Sequence, residues 1–187
     1  MTKYFTNIYP EVNLYRKPST KSEIVTQMIY GDSFSVSKKS KKWFKIKIKE
    51  DKYKGYIKNK IYSSFLEPTH KVSSLKAKVF KFPNKIKKSE ITYGSKIKVI
   101  DNNAKFFKFA KGWIKKKDVK PVSYREKNPF KKITSFKNTK YKWGGKSFKG
   151  IDCSALVQVF LNFSNKFCPR DAGDQVKYFK KNIKLKN

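Results

Sequence analysis

Gly150-Ile151-Asp152-Cys153-Ser154-Ala155-Leu156-Val157-Gln158-Val159-Phe160-Leu161-Asn162-Phe163 reads as a break in the chain followed at once by a helix. Gly150 interrupts the preceding segment, and Asp152 has the short acceptor side chain that caps a helix beginning at Cys153. Ala155, Leu156, Val159, Phe160 and Phe163 then share one face at helical spacing. Val157 and Leu161 add apolar residues outside that face, which predicts a helix buried on most sides. Cys153 falls in its first turn, where free N–H groups and the positive end of the helix dipole stabilise a thiolate. A cysteine beside an apolar helix is usually a packing residue. This one opens the helix between two polar neighbours, which points to reactivity.

Upstream lies Tyr141-Lys142-Trp143-Gly144-Gly145-Lys146-Ser147-Phe148-Lys149, in which Gly144 and Gly145 allow close backbone approach or positive φ. Downstream lies Phe167-Cys168-Pro169-Arg170-Asp171-Ala172-Gly173-Asp174-Gln175. Residues 123–138, with Pro129, several lysines and little periodicity, read as a surface linker with room for one helical turn.

Further toward the N-terminus the chain repeats itself once. Leu14-Tyr15-Arg16-Lys17-Pro18 is matched by Val79-Phe80-Lys81-Phe82-Pro83, and Tyr30-Gly31-Asp32 by Tyr93-Gly94-Ser95. Trp43-Phe44-Lys45-Ile46 returns as Phe106-Phe107-Lys108-Phe109, and Gly55-Tyr56-Ile57 as Gly112-Trp113-Ile114. Period-two alternation broken by glycine turns means short antiparallel strands, five or so per unit, which can curl into small barrels. His70 lies in the link between the units and is expected at the surface.

The repeated order resembles bacterial SH3-like domains over about residues 9–66 and 75–122. Tyr141-x-Trp143-Gly144-Gly145, then Gly150-x-Asp152-Cys153-Ser154 and the apolar helix, resemble the NlpC-type peptidases, papain-like enzymes that cut peptidoglycan stem peptides. Pro169-Arg170-x-Ala172-x-x-Gln175 is similar to a second element of that family. The resemblance implies a mainly β chain with an α+β C-terminal part: an SH3-like barrel over residues 1–68, a second over 69–122, the linker 123–138, and the helical first half of an NlpC-type domain over 139–187. Tandem SH3-like modules before such a domain resemble the γ-D-glutamyl-diaminopimelate endopeptidases in particular.

Carried onto these residues, the resemblance implies Cys153 as nucleophile and Tyr141 as an active-site tyrosine near the reacting carbonyl. It implies that Asp152 and Ser154 contact the free amino end of the substrate. Trp143, Gly144, Gly145, Arg170 and Gln175 belong to the motifs as scaffold. Cys168 stands where the family usually has an apolar residue and is read as packing, and Ala155 replaces the usual glycine. The family's general-base histidine and its orienting partner come from strands beyond the first helices. The chain has one histidine, His70, so residues 1–187 are expected to be inactive by themselves. No metal or organic cofactor is implied, and the expected partners are peptidoglycan stem peptides or muropeptides.

The net charge of +34 raises a different possibility, since lysine and arginine neutralise phosphates. Only Arg16, Arg125 and Arg170 are arginines, the side chain with the fork geometry for phosphates and base edges. The lysines are spread over the whole chain, so no specific nucleic-acid partner is expected. Three classes of function remain: a hydrolase, a non-catalytic module binding peptidoglycan peptides, and a lysine-rich nucleic-acid adaptor. The segment Met1-Thr2-Lys3-Tyr4-Phe5 has no secretory character and no apolar run is long enough to span a bilayer. A cytoplasmic location is expected, or a periplasmic or extracellular one if the true N-terminus lies upstream. Two cysteines at this spacing match no zinc or redox pattern, and a disulfide is not expected in a reducing compartment. Oligomeric state is not legible.

Overall fold

Antiparallel strands build the chain as far as Pro121 in the computed structural model, which describes residues 2–182. The first module holds β1 (Tyr4–Thr6), β2 (Glu11–Tyr15), β3 (Ile24–Ile29), β4 (Ser33–Lys39), β5 (Trp43–Ile48), β6 (Lys54–Lys58) and β7 (Ser63–Ser64). They form one sheet in the order β3-β2-β6-β5-β4-β1-β7. The second module holds β8 (His70–Val72), β9 (Lys76–Phe82), β10 (Lys85–Thr92), β11 (Lys96–Ile97), β12 (Asp101–Asn102), β13 (Phe106–Phe109), β14 (Gly112–Lys115) and β15 (Val119–Pro121). Its two sheets run β10-β9-β14-β13-β12 and β11-β8-β15. Each unit therefore has more strands than the repeat predicts, because strands of two and three residues are too short to show a period.

The repeated motifs occupy equivalent places. Phe44 pairs with Ile57 across β5 and β6, as Phe107 pairs with Ile114 across β13 and β14. Ile57 and Ile114 are both fully buried, and so are Leu14 and Val79. Val12, Leu14, Val25, Met28, Phe34, Ile46, Ile48 and Ile57 form the first core.

The Tyr-Gly turns do more than reverse the chain. Tyr30 leaves the first module and is buried in the core of the second, edge-on to Phe109 at 5.6 Å between centroids. Tyr93 leaves the second module and is buried in a third core, against Phe163 at 4.5 Å and Phe160 at 5.1 Å. Each module thus anchors the next with a ring whose burial stabilises by about 2 kcal/mol. The two turns also meet, with Lys96 N–H donating to Tyr30 O at 2.9 Å. Gly31 has φ +85°, and a Cβ there would stand 2.1 Å from Lys96 O, so no other residue fits without movement. Around this junction lie a buried ion pair, Lys146–Asp32 at 3.6 Å, and a partly exposed one, Lys96–Glu50 at 2.5 Å.

The third core belongs to the C-terminal part, with β16 (Lys146–Ser147), β17 (Gly150–Ile151), α1 (Cys153–Phe163) and α2 (Ala172–Asn182). Asp152 caps α1, accepting from Ala155 N–H at 2.8 Å. Ala155, Val159, Phe160 and Phe163 are buried and Leu156 partly so, the face expected from the periodicity. Lys71 of β8 is also buried and holds the other end of α1, donating to Phe163 O and Tyr124 O at 2.5 Å and to Asn165 Oδ1 at 3.0 Å.

Two expectations need correction. The segment read as a surface linker carries 3-10 turns over Pro129–Phe136, capped by Asn128 and kinked at Lys132. Phe136 is buried in the third core and Tyr124 packs on Phe163, because an otherwise polar stretch can still anchor itself through two rings. His70 does not sit in an exposed link. It opens β8, half-buried, with its ring 4.5 Å from that of Phe107 and Nδ1 2.9 Å from Thr69 Oγ1.

Candidate active site

Cys153 is exposed at the start of α1, while Cys168 is buried and its thiol is pushed up to about 11 by burial. The two thiols are free. What fixes Cys153 is a buried polar network immediately behind it. Asp152 accepts from Arg170 Nη2 at 2.5 Å and Nη1 at 3.1 Å, from Gly144 N–H at 3.0 Å and from Ala155 N–H at 2.8 Å. Ser154 Oγ donates to Asp152 Oδ1 at 3.2 Å and accepts from Arg170 Nη1 at 2.8 Å. The two-pronged Arg–carboxylate geometry is the strong form of this interaction, and Arg170 is only 3% exposed. Its remaining Nε donates to Thr26 Oγ1 of β3 at 2.6 Å, so the first module completes the network.

The glycines act as expected. Gly144 has φ +70°, and a Cβ there would lie 2.4 Å from Ile24 O of β3. The loop therefore presses directly on the first module. Lys146 N–H donates to Gln27 Oε1 at 3.0 Å, and Ser147 Oγ to Glu11 Oε1 at 2.6 Å, extending the same docking. Gln175 ties α2 to the network by donating to Ser154 O at 2.8 Å and Pro169 O at 2.9 Å. Gly144, Gly145, Arg170 and Gln175 are all buried, in positions that suit scaffold residues.

In front of the thiol is a cleft of about 210 Å³. Tyr141, Trp143, Cys153 and Ser154 line it from the C-terminal part, and Arg16, Glu23, Val25 and Tyr53 from the first module. Tyr141 and Trp143 are both largely exposed there, at 66% and 64%. Trp143, expected only as scaffold, is a wall of the cleft, with its indole N–H donating to Glu23 Oε1 at 2.9 Å. Arg16 Nε donates to Glu23 Oε2 at 2.6 Å. These two bonds, that from Arg16 first, hold the Glu23 carboxyl below the usual carboxylate range. Across the cleft, Tyr53 Oη donates to Asp171 at 3.1 Å. Burial and the Asp171 charge beside it push the Tyr53 phenol up to about 12.

Asp152 and Ser154 reach the cleft but do not point freely into it. A carboxylate offers about four lone-pair sites, and the donors behind Asp152 already fill them. The expected contact of these two side chains with a substrate's amino end stays a proposal: both line the cleft, and their polar atoms are also bonded to Arg170 and the loop. The exposed carboxylates of the cleft are Glu23 and Asp171. Sequence reasoning missed Arg16, Glu23, Tyr53 and Asp171. One signal pointed at two of the cleft residues: of three arginines among 47 basic residues, Arg16 and Arg170 line this cleft, and no lysine does. Two arginines and three carboxylates leave the cleft with a net charge of −1 in a chain of +34. His70, in β8 of the second module, is not among the cleft residues.

Comparison with known proteins agrees with this architecture. Residues 10–66 match the bacterial SH3 domain and residues 138–187 the NlpC/P60 family. Over 175 residues the chain is 25% identical to the gamma-D-glutamyl-L-lysine dipeptidyl-peptidase of Bacillus subtilis (strain 168), covering 84% of this chain and 59% of that protein. The chain thus spans less than two thirds of this relative's length. The crystal structure of an NlpC/P60 family protein from Bacillus cereus ATCC 10987 has the same fold, with a TM-score of 0.78 over 93% of this chain and 76% of that one, at 17% identity. On its motifs, its fold and these matches, the chain carries an NlpC-type domain behind a bacterial SH3 domain.

Proposed function

We propose that this chain supplies the nucleophile and the substrate-recognising cleft of a cysteine peptidase that hydrolyses γ-D-glutamyl bonds in peptidoglycan stem peptides or muropeptides. The observation that carries the reading is an exposed thiol at a helix start on the floor of a lysine-free cleft, with the carboxylates of Glu23 and Asp171 beside it. Cys153 Sγ attacks the γ-glutamyl carbonyl carbon, the C–N bond breaks, and water then cleaves the thioester. The N–H of Cys153, which has no partner among the described residues, is one donor available to the oxyanion. Tyr141 borders the reacting carbonyl. Glu23, Asp171 and the Tyr53 hydroxyl receive the free ammonium of the substrate, since a desolvated ammonium needs charged partners.

The bond cleaved joins γ-D-glutamate to a diamino acid, diaminopimelate in the first instance. The B. subtilis relative is named for γ-D-glutamyl-L-lysine, which sets lysine as the alternative. A base must take the thiol proton and return it to the leaving amine. His70, held against Phe107 in the second module, is not among the cleft residues and is not the base proposed here.

The test is hydrolysis of L-alanyl-γ-D-glutamyl-diaminopimelate, read by mass spectrometry. The full gene product is expected to cut it, and Cys153→Ala to reduce the rate by several orders of magnitude. Residues 1–187 alone are expected to leave it intact while iodoacetamide labels Cys153 faster than Cys168. Equal labelling of the two cysteines, or full activity in Cys153→Ala, would overturn the reading.

A further inference from the structure

A second concave site lies where the two modules and the end of α1 meet. This groove, of about 440 Å³, shares no residue with the cleft that holds Cys153. Lys49 and Lys52, from the turn between β5 and β6, line it together with Lys166, which follows α1. Glu67 is the one unpaired acid on its wall, since Glu50 is engaged by Lys96 at 2.5 Å. Among the described residues none of Lys49, Lys52, Lys166 and Glu67 takes part in an ion pair. Two large rings, Phe65 and Phe167, are 36% and 44% exposed along the same groove. Lys49 Nζ stands 4.4 Å from the Phe65 ring centroid, which holds its charge at the wall instead of free in solvent.

We propose that this groove binds a short acidic peptide carrying at least two more carboxylates than amino groups. Three unpaired lysines against one acid call for an excess of negative charge. Glu67 accepts the peptide's amino group, which a bare polyanion cannot offer it. Phe65 and Phe167 cover the peptide's aliphatic part, removing apolar surface from water on both sides. A free phosphate or pyrophosphate uses the lysines alone. The site has the opposite charge preference from the cleft, and it stands whether or not the cleft performs the chemistry proposed for it.

The experiment is calorimetric titration of the folded chain at low salt with the tripeptide L-Glu-L-Glu-L-Leu and, separately, with pyrophosphate. Three variants alter five exposed positions, so folding is not at issue: Lys49→Glu with Lys166→Glu in the groove, Lys81→Glu with Lys85→Glu on the second module, and Asp171→Lys in the cleft. The groove pair is expected to weaken tripeptide binding at least tenfold, with the other two variants within twofold of the parent and pyrophosphate binding at least tenfold weaker than the tripeptide. Absence of binding overturns the proposal. So does an equal loss in the Lys81/Lys85 pair, which means diffuse attraction to a +34 chain. Pyrophosphate binding as tight as the tripeptide makes the groove a plain anion site. A change confined to Asp171→Lys puts the peptide in the cleft. The cleft reading is judged separately, by hydrolysis and by Cys153 labelling, neither of which enters this test.

Discussion

The two repeated modules carry the same motifs at equivalent strand positions, yet they serve the C-terminal part differently. The first faces the cleft: Arg16, Glu23, Val25 and Tyr53 line it, and Thr26, Gln27 and Glu11 hold the loops around Cys153. The second gives the cleft no residue and packs against the back and end of α1 through Tyr93 and Lys71. A repeat determines the fold of each unit through its inward-facing residues, whereas use depends on outward-facing ones, which the repeat does not constrain. Damage to the first module should therefore alter the site, and damage to the second should alter the stability of the helix beneath it.

The sharpest break is at Arg170, where the first module's Thr26 meets Asp152. Arg170→Met leaves a buried carboxylate without its partner, a loss expected to cost about 3–5 kcal/mol. Urea unfolding measures it. Loss of the cleft with unchanged stability would show that Asp152 is not desolvated. Thr26→Val removes one acceptor and should cost about 1 kcal/mol, while changing the rate at which iodoacetamide labels Cys153. The equivalent substitution in the second module should leave that rate alone.

Equal in size to the Arg170 effect are those of the tyrosines that cross between modules. Tyr93→Ala and Tyr30→Ala are each expected to cost about 3–5 kcal/mol, as for a buried phenylalanine truncated to alanine. Their signatures should differ. By hydrogen exchange, Tyr30→Ala should loosen β13 and its neighbours in the second module, and Tyr93→Ala should loosen α1. Loosening confined to the module that carries the tyrosine would contradict this linkage.

Smaller still is the difference between the two turn glycines. Gly31 and Gly94 have φ +85° and +82°, so alanine at either meets the left-handed penalty of about 1–2 kcal/mol. Only at Gly31 does the new Cβ also strike backbone, since the nearest atom to it at Gly94 is Ile29 Cδ1 at 3.6 Å. Gly31→Ala should therefore be clearly the more destabilising. Equal midpoints in urea would mean that the junction between the turns yields easily.

The smallest effect is a pH dependence. Burial first, then the nearby charges of Lys96 and Arg125, push the Lys71 ammonium down to about 8, from 10.5 for a free lysine. Between those values the unfolded chain binds this proton more than the folded chain does. Stability from this group therefore rises as pH climbs from 8 toward 10.5 and is flat below 8. The melting temperature of the parent relative to Lys71→Met should increase between pH 7 and pH 10. A constant gap would show that the three oxygens around Lys71 offset its burial completely.

How much of this was legible depends on the range of the interaction. The start of α1 at Cys153, its cap, its apolar face, the special roles of Gly144 and Gly145 and the twofold repeat were all read from residues a few positions apart. Capping, glycine conformation and period-two burial are local physics, so sequence alone determined them. The strands of two and three residues were not legible, nor were the rings that fix residues 123–138, because short or aperiodic stretches are decided by what they pack against. The cleft is the extreme case. Trp143 meets Glu23 across 120 positions, Tyr53 meets Asp171 across 118, and Arg170 meets Thr26 across 144. Each such bond exists only after the first module has docked on the Gly144 loop. A side chain's preference for a partner says nothing about which distant partner arrives. Sequence thus determined the nucleophile candidate and the elements that carry it, while the tertiary structure alone decided that Asp152 and Ser154 turn inward and that Glu23, Tyr53 and Asp171 face the cleft.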